Sequence, residues 1–72
     1  MEATLRNSIK VERARRNLTQ EQLAALAGVT RKTINTIETG RFVPSTILAL
    51  KLARVLGCRV EDLFELDESR GT

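Results

Sequence analysis

Histidine is absent from this chain, and its absence removes a great deal of chemistry. Without imidazole there is no Ser-His-Asp triad, no Cys-His pair and no histidine general base, so an enzyme is not expected. A His-bearing zinc site is excluded too. Cys58 is the single cysteine and can build neither a thiolate cluster nor an intrachain disulfide. No metal, cofactor or small-molecule ligand is expected. Tryptophan and tyrosine are missing, and Phe42 and Phe64 read as buried, which leaves no aromatic platform for stacking RNA bases. The four glycines stand singly and cannot form a phosphate-cradling loop. No charge-free stretch exceeds nine residues, Phe42 to Leu50 being one. A membrane span needs roughly 20 apolar residues, and no signal-peptide pattern opens the chain. A cytoplasmic protein with no membrane partner is expected, since a lone thiol suits a reducing compartment.

What is present is one domain, residues 1–72, with 42% apolar residues for one small core. A chain this short buries only about 60% of its unfolded surface, so it depends on well-packed helices, a second copy of itself, or both. The net charge is +3, and the cations are concentrated in the N-terminal part. Residues 1–41 hold eight basic side chains against four acidic ones, while residues 42–72 hold four against five. Nine of the twelve cations are arginine, whose fork matches phosphate and guanine. A basic half is the electrostatic footprint of a nucleic-acid binder, or simply a solvated surface.

Capping residues divide the chain into helices. Asn7 can cap a first helix over Ser8–Arg16, with Ile9, Val11 and Ala14 as its apolar members. Thr19 and Gln22 have capping-box spacing and start a second helix, about Gln20–Ala27, with Leu23, Ala24, Leu26 and Ala27 inward. Thr30 caps a third, Arg31–Thr39, which Gly40 stops. Pro44 and Ser45 open a fourth, Thr46–Leu56, apolar on most sides and ended by Gly57. A short fifth helix covers Val60–Glu65, with Arg59 as a poor cap. Ala3–Leu5 and Glu65–Asp67 are candidate short strands, and Asp67–Thr72 reads as a mobile polar tail. Met1, Phe42, Val43 and Cys58 read as packing residues or loop plugs.

The most specific pattern lies between residues 19 and 39. Gln20 is followed by Ala24, Gly28, Val29, Ile34 and Ile37. Two helices joined by a three-residue turn cross steeply, so their closest approach needs a small residue, here Ala24. The turn needs a positive φ, which Gly28 supplies, and Val29, Ile34 and Ile37 fill the angle between the helices. On these residues the chain resembles the Cro/phage-repressor (XRE-like) helix-turn-helix family. The runs Leu18–Ala24, Gly28–Ile34 and Ile37–Arg41 carry the likeness, with Pro44-Ser45 and Glu61–Phe64 extending it over about residues 7–66.

The resemblance implies an all-α, compact five-helix DNA-binding domain whose third helix enters the major groove of double-stranded DNA. With Ile34 and Ile37 inward, the helix period turns Arg31, Lys32, Asn35 and Thr36 outward as candidate base contacts. Thr19 and Gln20, at a helix N-terminus, are candidate phosphate contacts, together with Arg41 and Arg16. In the family, residues matching Arg13 and Glu38 form a structural ion pair. Leu63, Phe64 and Leu66 form a candidate homodimer interface. The expected function is transcriptional regulation, as a repressor on a palindromic operator. The alternative from another class is a protein-interaction module of the same fold, an antitoxin or bridging coregulator, which the few residues beyond Leu66 disfavour.

Overall fold

The computed structural model describes residues 4–68. In chain order these form β1 (Thr4–Asn7), α1 (Ile9–Arg15), α2 (Gln20–Ala27), α3 (Arg31–Glu38), α4 (Thr46–Leu56), α5 (Val60–Leu63) and β2 (Phe64–Asp67). The expected all-α fold of five helices with short terminal strands is what the chain adopts.

The caps of α2 to α4 follow the local chemistry. Thr19 Oγ1 accepts from the Gln22 backbone N–H at 3.0 Å, and Gln22 Oε1 accepts from the Thr19 N–H at 2.9 Å. Thr30 Oγ1 and Ser45 Oγ accept in the same way from Thr33 and Leu48. Gly28 (φ 76°) closes α2 in the left-handed region, where a side chain is strained.

The ends of the chain differ from the sequence expectation. Asn7 is not the cap of α1; Ser8 holds that position. Asn7 Oδ1 accepts from the Ile9 N–H at 3.2 Å, and its Nδ2 donates to the Ile37 carbonyl at 3.0 Å. One amide therefore ties β1, α1 and the end of α3 together. Helix α5 stops at Leu63, not Glu65, because Phe64 turns extended and β2 pairs antiparallel with β1. The register sets Thr4 opposite Asp67 and Arg6 opposite Glu65. Asp67 thus belongs to a strand and not to a mobile tail. Met1, Ala3 and Ser69–Thr72 lie outside the described residues. The Arg6–Glu65 pair, 2.6 Å apart but with both side chains mostly exposed, contributes little to stability.

The core is Ile9, Leu23, Ala24, Ala27, Ile34, Ile37, Leu52, Ala53, Leu56 and Leu63. Each buried Leu or Ile contributes about 1.5–3 kcal/mol. Leu26, Phe42 and Val43, expected to pack inside, are exposed. Val11 and Ala14 of α1 and Ile47 and Leu50 of α4 are exposed as well. Phe64 is half-buried. Conversely, Glu12 is buried at the inner edge of α1, one turn after Ile9. Its carboxylate meets Arg16 Nη1 at 2.7 Å and Arg15 Nη1 at 3.3 Å. Cys58 is half-buried, and that burial pushes its thiol pKa up, which fits packing better than thiolate chemistry.

Candidate nucleic-acid interface

Helices α2 and α3 meet where Ala24 is buried, and Val29 N–H donates to the Ala24 carbonyl at 3.0 Å across the turn. This fixes α3 by its inner face, Ile34 and Ile37. Its outer face follows from the helix period. Arg31, Lys32 and Asn35 are exposed. Thr36 is half-buried, and its Oγ1 donates to the Thr33 carbonyl at 2.9 Å. The hydroxyl hydrogen of Thr36 is thereby used, and its methyl is the part left for an apolar contact.

A concavity of about 620 Å³ lies where the start of α2 faces Arg31, with Thr19 and Gln20 among its walls. Thr19 is exposed there. Gln20 is engaged: its Nε2 donates to Glu38 Oε1 at 3.0 Å and to Asn35 Oδ1 at 3.3 Å. Arg41 is exposed just past α3, its backbone N–H bonded to the Thr36 carbonyl at 2.9 Å.

Behind this face, Arg13 and Glu38 form a two-pronged ion pair. Nε meets Oε2 at 2.8 Å and Nη2 meets Oε1 at 3.3 Å. The Arg13 side chain is 16% exposed and the Glu38 side chain 7%. Arg13 Nη1 also donates to the Leu18 carbonyl at 2.9 Å, so the guanidinium clamps α1, the turn before α2 and the last turn of α3.

One expected role does not fit the geometry, and another is narrowed by it. Arg16 Nη1 bonds both the carbonyl and the carboxylate of Glu12, so one of its guanidinium nitrogens is committed away from a phosphate. The buried carboxylate needs a counter-charge, and Arg16 supplies it. Leu63 is 1% exposed, inside the core, so it cannot present a dimer surface. Leu66 is 61% exposed. A mostly apolar concavity of about 410 Å³ opens between the β ribbon and the α3–α4 loop, lined by Leu5, Phe42, Val43, Phe64 and Leu66 among others.

The sequence reading missed the Gln20–Asn35–Glu38 contacts and the left-handed Asn17 (φ 55°) before α2. Asn is enriched in that conformation, and its position between two helical patterns was the available signal. The other contacts depend on rotamers across the helix crossing and have no local signature.

Residues 9–63 match the family model described as helix-turn-helix. An uncharacterized HTH-type transcriptional regulator of Methanothermobacter thermautotrophicus is 51% identical over 65 residues, covering 89% of this chain and 94% of that protein. The uncharacterized HTH-type transcriptional regulator YgzD of Bacillus subtilis is 44% identical over 64 residues, covering 89% and 97%. Among solved structures, the restriction-modification controller protein C.AhdI of Aeromonas hydrophila is similar with a TM-score of 0.72 and 31% identity, covering 75% of this chain and 82% of that one. A putative DNA-binding protein from Bacteroides fragilis is similar with a TM-score of 0.78 and 27% identity, covering 86% and 100%.

Proposed function

Because this chain belongs to the Cro/phage-repressor (XRE-like) helix-turn-helix family of transcriptional regulators, we propose that it acts as a repressor, binding a palindromic operator as a homodimer with α3 of each protomer in the major groove. The observation that carries this reading is the two-sided character of α3. Its inner face is locked into the core by Ile34 and Ile37, and its outer face offers Arg31, Lys32 and Asn35 to a partner. Arg forks onto guanine and Asn onto adenine, while Thr36 brings a methyl suited to thymine. Thr19 at the start of α2 and Arg41 after α3 flank that face and suit phosphates. Occupancy is the simplest mode of control, since a bound dimer covers the duplex that other proteins must enter. No helix among the described residues is long and apolar enough to cross a membrane, and the proposed place of action is the cytoplasm.

The division of roles has a direct test. Arg31→Ala should cost about 1–3 kcal/mol on the selected operator and relax the preference at one base position, whereas Arg41→Ala should weaken specific and random DNA alike. Equal losses on both kinds of DNA for the two variants would show that Arg31 does not read a base.

Support for the dimer comes from the apolar surface beside the ribbon. Phe42, Val43, Ile47, Leu50 and Leu66 are all about half exposed or more, and such a patch invites association. One recognition helix reads few base pairs; two related by a two-fold axis reach adjacent grooves about 34 Å apart. The interface we propose uses Phe64 and Leu66 with Phe42 and Val43, in place of Leu63. Sedimentation at micromolar concentration should give twice the 8.0 kDa chain mass. Leu66→Glu should return the monomer and lower operator affinity by roughly a hundredfold, the size of a lost linked contact, with helix content unchanged. A wild-type species of 8.0 kDa without DNA would remove the stable dimer from this proposal.

A further inference from the structure

We infer that Gln20 fixes the direction in which Asn35 offers its hydrogen bonds, and thereby selects adenine as the base that Asn35 accepts; this rests on α3 being the DNA-contacting helix. The chain of contacts has only one consistent polarity. Arg13 can only donate and the Glu38 carboxylate can only accept. Gln20 places Nε2 against that carboxylate at 3.0 Å and against Asn35 Oδ1 at 3.3 Å. Turning the Gln20 amide over would set its oxygen against the carboxylate, acceptor against acceptor. With Gln20 held, turning Asn35 over would set Nδ2 against Nε2, donor against donor. The ion pair, 7% exposed on its Glu38 side, therefore determines the orientation of an exposed amide on the reading face.

Two consequences follow for recognition. Asn35 is left with its Nδ2 hydrogens and one lone pair of Oδ1. A donor beside an acceptor complements the N7 and N6 amino group of adenine; guanine offers two acceptors, cytosine a donor and thymine an acceptor with a methyl. Gln20, for its part, has committed both hydrogens of its amide, so its side chain is a positioning group and not the phosphate donor expected from its place at the start of α2.

The test uses the full chain in two arms. In the free protein, nitrogen relaxation of the Asn35 side-chain amide should show restricted motion that Gln20→Met releases. On DNA selected by the wild type, Gln20→Met should reduce the preference for adenine over guanine at one position by about fivefold, the value of one hydrogen bond. Its affinity for random-sequence DNA should stay unchanged. Asn35→Ala should abolish that preference, and the double variant should lose nothing further. Asn35→Asp keeps the acceptor for Gln20 but removes the donor, and should move the preference toward cytosine. Equal weakening of selected and random DNA by Gln20→Met would overturn the inference in favour of a phosphate contact, as would an Asn35 amide no more mobile in that variant. If the wild type selects no sequence at all, the DNA reading and the base assignment fall together, while the relaxation arm still decides whether Gln20 holds Asn35.

Discussion

Glu38→Ala should be among the most damaging single substitutions in the domain, costing about 3–5 kcal/mol. The alanine removes the acceptor of both prongs of Arg13, whose side chain is 16% exposed and cannot simply turn to water. Most of the loss comes from the stranded guanidinium, more than from the attraction that disappears. Domains of this kind have about 5–15 kcal/mol in total, and each kcal/mol is worth roughly 4–8 °C at this size. Thermal unfolding followed by circular dichroism should therefore show a midpoint lower by well over about 10 °C. Replacing both partners by methionine should cost much less than the sum of the single losses, because no unpaired charge remains. Additive losses would mean that the two side chains act independently.

The second large effect concerns salt. Each phosphate neutralised by a cation releases counterions, with a slope of about −0.9 in log affinity against log salt. Arg31, Lys32 and Arg41 are the exposed cations flanking or lying on α3. If a dimer engages about six phosphates, affinity should fall about a thousandfold between roughly 50 and 200 mM salt; a monomer engaging about three should lose only some fortyfold. Fluorescence anisotropy over a salt series distinguishes these two, and a flat response would instead favour a protein as the partner. The steepness thus reports DNA binding and stoichiometry in one measurement.

How far the sequence predicts this structure depends on how local each cause is. Thr19, Gln22, Gly28, Thr30, Ser45 and Gly57 act within a turn of their own position, and α2, α3 and α4 begin and end close to where these residues indicate. The packing of Ala24, Ile34 and Ile37 follows from the spacing of two crossing helices. Elsewhere the cause lies far along the chain. Phe64 leaves the helical pattern because β1 offers it a partner, a competition that no short window contains. Asn7 looks like a cap and acts as a clasp on the end of α3. Arg16 looks wholly free for phosphate until the burial of Glu12 claims one of its nitrogens. Val11 and Leu26 have helical spacing suited to a core, but their short helices bury one edge only and leave them outside.

The β ribbon has a consequence for how the domain comes together. Thr4 pairs with Asp67, so this contact closes a loop of almost the whole chain and carries a larger closure entropy than any pairing within the helical hairpin. Helix formation and the α2–α3 crossing are local and fast; the ribbon is the costly, late contact. It is also the platform of Leu66 and, through Asn7, the anchor for the end of α3. A second copy that docks on the ribbon would draw this late contact toward the ordered state by mass action. Assembly and the pairing of the two strands would then be one equilibrium, in which α3 would be held most firmly once enough protein had accumulated to pair.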